Sequence, residues 1–320
     1  MKRAAILDDY QQVWSTYADW SVLDGRVAVT SFADHLFDEA QLAERLADFE
    51  IVIAMRERTP FPASLLDQLP KLELLVTTGP FNAVIDVDHA ASRGVVMCGT
   101  GGAIFNTSEL TWALILACAR NVPAEDRNIK NGGWMTTVGS DLFGRTLGLC
   151  GAGRLGGIVG NVGKAFGMKL IAWSTNLTDE RAAEIGAVKV DKQTLFREAD
   201  VVTIHQVLSE RTRHLVGATE LALMKSSAIL VNTSRGPIVD ELALADALRA
   251  RSIRGAGIDV YGIEPLAPDH PFRSLDNIVT TPHLGYVTEG CYEIFYREIV
   301  EDIAAWLDGS PLRLIEPAPK

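Results

Sequence analysis

Leu147-Gly148-Leu149-Cys150-Gly151-Ala152-Gly153-Arg154-Leu155-Gly156 is an apolar run that breaks into G-x-G-x-x-G. In a strand that opens into a helix, each glycine of this spacing has a task. Gly151 permits the tight turn, Gly153 lets backbone approach a pyrophosphate, and Gly156 lets the helix pack close to the sheet. The helix N-terminus then presents N–H groups to the anion. The spacing alone is a weak signal. Here small residues repeat along the helix at Gly156, Gly160, Gly163 and Gly167, and a second apolar run follows at 169–173. The stretch therefore predicts a dinucleotide loop, with Gly151, Gly153, Arg154, Leu155 and Gly156 at the pyrophosphate.

The second run ends in Ser174-Thr175-Asn176, and the next carboxylate is Asp179. An acidic residue at that strand end would accept from a ribose 2′-OH and repel a 2′-phosphate. Its absence predicts use of NAD or NADP, with a lean toward NADP, and places Ser174, Thr175 and Asn176 against the ribose.

Working outward, short apolar runs alternate with helical patterns on both sides of the loop. Strand-like runs lie at 4–7, 27–30, 51–55, 72–77 and 95–98, then at 146–150, 169–173, 187–190, 201–204, 228–231, 255–258 and 278–280. Helical periodicity falls at 39–49 and 63–69, and a final amphipathic helix at 289–307. Strands separated by crossover helices imply parallel sheets. The expected fold is α/β: two Rossmann-like or flavodoxin-like parallel-sheet domains with a cleft between them. Residues 1–100 plus 287–320 would form one domain and 101–286 the dinucleotide-binding one. Asn106-Thr107-Ser108-Glu109 reads as a capping box with Asn106 as N-cap. Its helix is apolar nearly all round, which predicts burial between domains or subunits. The linkers near Gly99–Gly102 and Gly285 are candidate hinges, and the Pro-rich tail at 311–320 is expected to fray.

The chain has 320 residues, 48% hydrophobic and 22% charged, enough for sizeable cores. Thirty Lys and Arg against 41 Asp and Glu give a net charge of −11. That excludes nucleic acid and anionic membrane as natural partners. Four cysteines stand in apolar contexts without a C-x-x-C, so reduced thiols and no cysteine metal site are expected. The N-terminus turns acidic too early for a secretory signal, and the longest apolar stretch is too short for a bilayer. These features point to the cytoplasm.

Ligands of open α/β sheets bind beyond the carboxyl ends of the strands. Three ionisable residues fall there: Arg235 in Thr233-Ser234-Arg235-Gly236, Glu264 in Tyr261-Gly262-Ile263-Glu264-Pro265, and His283 in Pro282-His283-Leu284-Gly285. Together they offer a cation for a carboxylate, an acid/base group, and a carboxylate to hold it.

With GAGRLG, VNTSRGPIVDE, GIDVYGIEP and TPHLG in this order, the chain resembles the D-2-hydroxyacid dehydrogenases over nearly its whole length. The resemblance implies NAD(P)-dependent interconversion of a 2-oxo acid and a D-2-hydroxy acid. Arg235 would bind the substrate carboxylate and carbonyl oxygen, His283 would handle the proton, and Glu264 would be its partner. Asp259 would meet the nicotinamide carboxamide, and Thr233 and His283 would also border the coenzyme. His205 and Val207 would line it, His205 without a catalytic role, and Val207 stands where relatives usually carry Pro. Thr78 and Gly79 resemble the loop whose N–H groups hold the substrate carboxylate, and Arg56 stands where some members hold a distal anion. Phe81, Trp134 and Tyr286 are candidates for the pocket wall or the core. The resemblance also implies a homodimer. Alternatives within the fold are 3-phosphoglycerate oxidation, formate or phosphite oxidation, and a non-catalytic dinucleotide sensor.

Overall fold

The computed structural model describes residues 1–317, and the chain divides into two compact units, Met1–Ala103 with the stretch from Thr288 onward, and Ile104–Val287. The first unit opens with β1 (Lys2–Ile6), β2 (Val27–Ser31), α1 (Glu39–Leu46), β3 (Ile51–Ala54), α2 (Ala63–Asp67), β4 (Leu74–Thr77), α3 (Val87–Ser92) and β5 (Val96–Gly99). The second contains α4 (Asn106–Arg120), α5 (Val122–Lys130), β6 (Thr146–Cys150), α6 (Arg154–Ala165), β7 (Lys169–Trp173), α7 (Asp179–Glu184) and β8 (Val188–Lys189). It continues with α8 (Lys192–Glu198), β9 (Val201–Ile204), α9 (Ala218–Leu223), β10 (Ile229–Asn232), α10 (Glu241–Arg249), β11 (Gly255–Ile258) and β12 (Ile278–Thr280). The last helix, α11 (Glu289–Leu307), belongs to the first unit.

Every strand pairing within the two sheets is parallel. The first sheet has the order β2-β1-β3-β4-β5 and the second β12-β11-β10-β9-β6-β7-β8. Parallel strands are covered on both faces and so read as unbroken apolar runs. β3, β4, β9, β10 and β11 are buried at every position. In the second unit one apolar layer gathers Phe196, Leu221, Leu244 and Leu248, and another gathers Trp112, Ile115, Leu147 and Val159. The order reverses at β6/β9, which puts the glycine loop at the switch point where such sheets bind ligands.

Two expectations need correction. The N-cap of α4 is Phe105 rather than Asn106, and no side chain caps it. The Asn106 Oδ1 instead accepts from the adjacent Thr107 N–H, at 2.9 Å, so no capping box forms. In the single chain, Glu109, Ala113 and Arg120 of the same helix are exposed. The tail does not fray over residues 313–315. Gly99 N donates to Arg313 O and Ile315 N to Met97 O, which adds the segment antiparallel to the edge of β5. Residues 318–320 lie outside the described residues.

Candidate active site

The glycine loop follows β6, whose residues from Leu147 to Cys150 are buried. Gly151 has φ +107, and a Cβ there would lie 2.4 Å from the His205 carbonyl oxygen. A Cβ on Gly156 would lie 2.1 Å from the Gly151 carbonyl oxygen, so that glycine serves the turn itself. Close packing of helix on sheet falls to Gly160 and Gly163, set against Leu149, Leu170 and Leu147. Gly153 is different: a Cβ would meet nothing within 4 Å. It is the N-cap of α6 and has no side-chain cap, so the first-turn N–H groups are left without a partner from the cap. That arrangement, with a glycine at the one uncrowded position, fits a dinucleotide pyrophosphate.

Beside the loop, burial pushes the His205 imidazole down to about 4, so the ring is neutral. Its Nε2 lies 2.9 Å from the Thr203 hydroxyl. Val207 is exposed, as are Thr175 and Asn176 at the end of β7, with Ser174 half-buried.

At the other end of the same row of strand termini, β10, β11 and β12 deliver Arg235, Asp259, Glu264 and His283. Asn232 orders the turn after β10 by donating to Arg235 O at 3.0 Å and accepting from Ser234 N at 3.0 Å. The Thr233 hydroxyl bonds Thr111 of α4 at 2.8 Å, and Arg235 Nη1 donates to Ser234 O. Gly236 allows this turn to press on the next, since a Cβ would lie 2.0 Å from the carbonyl carbon of Tyr261.

The second turn positions the candidate acid/base pair. Tyr261 N donates to Glu264 Oε1 at 2.9 Å, and Glu264 Oε2 lies 2.5 Å from His283 Nδ1. Both side chains are largely shielded, which strengthens a charge-assisted hydrogen bond. The bond uses Nδ1 and not Nε2 of the ring. The Tyr261 hydroxyl donates to Thr281 O at 2.8 Å, and burial, the main cause, raises its pKa.

Asp259 is fully buried. Its oxygens accept from the Thr281 hydroxyl at 2.6 Å, Leu284 N at 2.7 Å and Gly285 N at 2.9 Å. Burial pushes this carboxyl above the ordinary range, while those donors pull the other way. Sequence reasoning set Asp259 against a carboxamide; its partners in the structure are the chain's own loop. Gly285, read as a hinge, is thereby tied down. Tyr286 stacks edge-on to His283, ring centroids 5.6 Å apart.

In the first unit, Arg56, Thr78 and Gly79 come together beyond β3 and β4. Arg56, at φ +51, donates from its backbone N–H to the Thr78 hydroxyl oxygen at 2.8 Å and from Nη1 to Thr78 O at 3.1 Å. Its guanidinium lies across Gly79, where a Cβ would be 1.6 Å from Nη1. The N–H groups expected to hold a carboxylate are both engaged: Thr78 N donates to Ala54 O and Gly79 N to the Thr100 hydroxyl. Sequence reading missed Asn82, whose buried amide donates to Arg56 O at 2.6 Å and Thr77 Oγ1 at 2.9 Å. A polar residue in the otherwise apolar Pro80–Val84 segment was the only signal. Gly101, the other candidate hinge, donates to Glu298 Oε2 at 2.6 Å. Phe81 is 61% exposed and Trp134 75%, so neither packs into a core of its unit.

Comparison with known proteins bears on this geometry. A family model described as "D-isomer specific 2-hydroxyacid dehydrogenase, NAD binding domain" matches residues 112–285. The glyoxylate reductase of Aeropyrum pernix is 40% identical over 255 residues, 77% of this chain and 76% of its own length. The D-3-phosphoglycerate dehydrogenase of Archaeoglobus fulgidus is 36% identical over 276 residues, 85% of this chain but 52% of its own. The crystal structure of a phosphoglycerate oxidoreductase from Vibrio cholerae superposes with a TM-score of 0.92 at 37% identity, covering 97% of this chain and 100% of that one. A matched glycine loop, a hydrogen-bonded Glu264–His283 pair at adjoining strand ends and agreement along most of the sequence lead to one conclusion: the chain belongs to the D-isomer specific 2-hydroxyacid dehydrogenase family, NAD-dependent oxidoreductases that interconvert 2-oxo and 2-hydroxy acids.

Proposed function

We propose that Arg235, Glu264 and His283 are the reacting set for reversible reduction of a 2-oxo acid to its D-2-hydroxy acid. The observation that carries this is the 2.5 Å bond between Glu264 Oε2 and His283 Nδ1, which holds the ring with Nε2 available. The nicotinamide coenzyme, when bound, supplies or takes up the hydride. Gly151, Gly153, Arg154, Leu155 and Gly156 would hold its pyrophosphate, with Thr233, His205, Val207 and Asp259 around the rest. Arg235 binds the substrate carboxylate and stabilises charge growing on the carbonyl oxygen. His283 gives that oxygen a proton from Nε2 in reduction and removes it in oxidation, while Glu264 orients the ring.

Within the first unit Arg56 is the proposed substrate-binding residue, the N–H groups of Thr78 and Gly79 beside it being engaged by Ala54 O and the Thr100 hydroxyl. Small 2-oxo acids such as glyoxylate and hydroxypyruvate are the leading class, by likeness to the relatives of those names. The guanidinium of Arg56, anchored over Gly79, favours a second reading in which the substrate carries a distal anionic group, as in 3-phosphoglycerate oxidation. Ser174, Thr175 and Asn176 present no carboxylate to the ribose, so NADP is accepted beside NAD, with a lean toward NADP.

Trp134, Met135, Val138 and Phe143 are each at least 75% exposed, which supports a homodimer formed through the second unit. Four buried cysteines outside any disulfide, three of them (Cys98, Cys118, Cys150) pushed up to about 12 mainly by burial, suit a reducing cytoplasm. Among the described residues no helix is long and apolar enough to cross a membrane.

The test is a turnover screen of glyoxylate, hydroxypyruvate, phenylpyruvate and 3-phosphohydroxypyruvate with both coenzymes, followed by nicotinamide absorbance. Turnover with at least one, and loss of it in His283→Ala, is expected. Absence of turnover with the whole panel would return the chain to the dinucleotide-sensor alternative. A strong kcat/KM preference for NAD would defeat the NADP reading.

A further inference from the structure

The second unit has another cavity, at the end of its sheet opposite Arg235 and His283. It occupies about 390 Å³ below the N-terminal ends of β11 and β12, bordered by α4 and α5. That volume lies in the range of small-metabolite pockets. Its lining includes Arg127, Arg251 and Arg254 against one carboxylate, Asp276. Arg251 holds that carboxylate with Nη2, 2.8 Å from both oxygens. Two cationic charges are left over.

Arg254 immediately precedes β11, and its guanidinium donates from Nη2 to the Val138 carbonyl at 3.0 Å. Its Nε is buried with no hydrogen-bond partner, and so is Oδ1 of Asn277, just before β12. Arg127, on α5, has no side-chain hydrogen bond or ion pair among the described residues. Acids elsewhere on α5 are engaged: Glu125 accepts from Thr136 and Thr137, and Asp126 pairs with Lys130. Cys118, also in the lining, is held as a neutral thiol by burial. Arg127 is exposed, whereas Arg254 is half-buried, and a half-buried guanidinium lacking a carboxylate is costly unless an anion completes it. Such cationic excess is notable in a chain of net charge −11.

We propose that this cavity is a binding site for a small dianion, a phosphate monoester or a dicarboxylate, held by Arg254 and Arg127. The site is separate from the glycine loop and from Arg235, and does not depend on the catalytic reading. To test it, the full chain is titrated calorimetrically with inorganic phosphate, and separately with succinate, at fixed ionic strength. Saturating NADH keeps the glycine loop filled, and chloride serves as the control anion. Saturable binding of either probe is expected, weakened about tenfold or more in both Arg254→Gln and Arg127→Gln. Arg249→Gln, an exposed arginine paired with Asp246 outside the cavity, should leave it unchanged. Binding of phosphate alone, of succinate alone or of both would support the site and identify the head group. No saturable binding, or binding untouched by both cavity substitutions, would overturn it. So would a drop to the mass of a single chain in Arg254→Gln without anion binding, which would assign these arginines to carboxylates of a second copy.

Discussion

His283 sits at φ +54, a conformation that costs a non-glycine residue roughly 1–3 kcal/mol. Its N–H donates to Asp259 O at 2.8 Å and its ring to Glu264, so neighbouring strand ends hold the strained residue in place. Replacing His283 with Ala should lower kcat by roughly 10²–10⁴, the usual range for a lost general acid/base. Steady-state kinetics on the folded variant checks this, and near-normal turnover would remove the ring from the reaction. Asp259 works at one remove, by collecting donors from Thr281, Leu284 and Gly285. Asp259→Asn turns one acceptor oxygen into a donor facing donors, which should destabilise by about 1–3 kcal/mol. A lower melting temperature and a lower kcat are expected together. An unchanged melting temperature would show that the loop is held by other contacts.

At the scale of elements, the glycine loop separates two physical roles that G-x-G-x-x-G spacing merges. Gly156 lies against the Gly151 carbonyl, whereas Gly153 borders empty space at an ordinary φ of −76. Gly156→Ala should therefore destabilise by about 1–3 kcal/mol through overpacking. Gly153→Ala should fold normally yet raise the KM of the coenzyme about tenfold or more, because the methyl group occupies the anion's approach. Thermal melts and coenzyme KM measured on both variants distinguish the roles. An unchanged coenzyme KM in Gly153→Ala would mean the pyrophosphate lies elsewhere. The segment after α11 shows what one long-range contact adds. Arg313 bonds Asp302 at 3.0 Å and Glu301 at 2.9 Å, and residues 313–315 then pair along β5. Proline-rich composition suggested a loose end; the buried acid on α11 that recruits Arg313 could not be paired with it from sequence.

At the scale of the molecule, Asp302 makes stability depend on pH. Burial pushes its carboxyl from the ordinary 3.8 up to about 7, against the opposing pull of Arg313, and Oδ2 has no partner. Between those values the native chain binds more protons than the unfolded one, so this group's contribution to stability falls as pH rises from about 4 to 7. The stability of the wild type relative to Asp302→Asn should therefore decline across that window, by a few kcal/mol in order of magnitude. Denaturant titrations at both ends check it, and a flat difference would refute it. Both parallel sheets and the glycine loop were legible in the sequence, because strands covered on two faces must be apolar throughout and tight turns admit only glycine. Arg235, Glu264 and His283 were legible as candidates because each lies within a few residues beyond the carboxyl end of a strand. The Tyr261, Asn232 and Asn82 hydrogen bonds were not, nor were the cation-rich cavity and the engaged N–H groups of Thr78 and Gly79. Local pattern determines which residues must be buried, which must turn, and which charged groups follow a strand end. Which polar atom satisfies which other is decided only when distant segments meet at hydrogen-bond distance, since those partners obey no spacing along the chain.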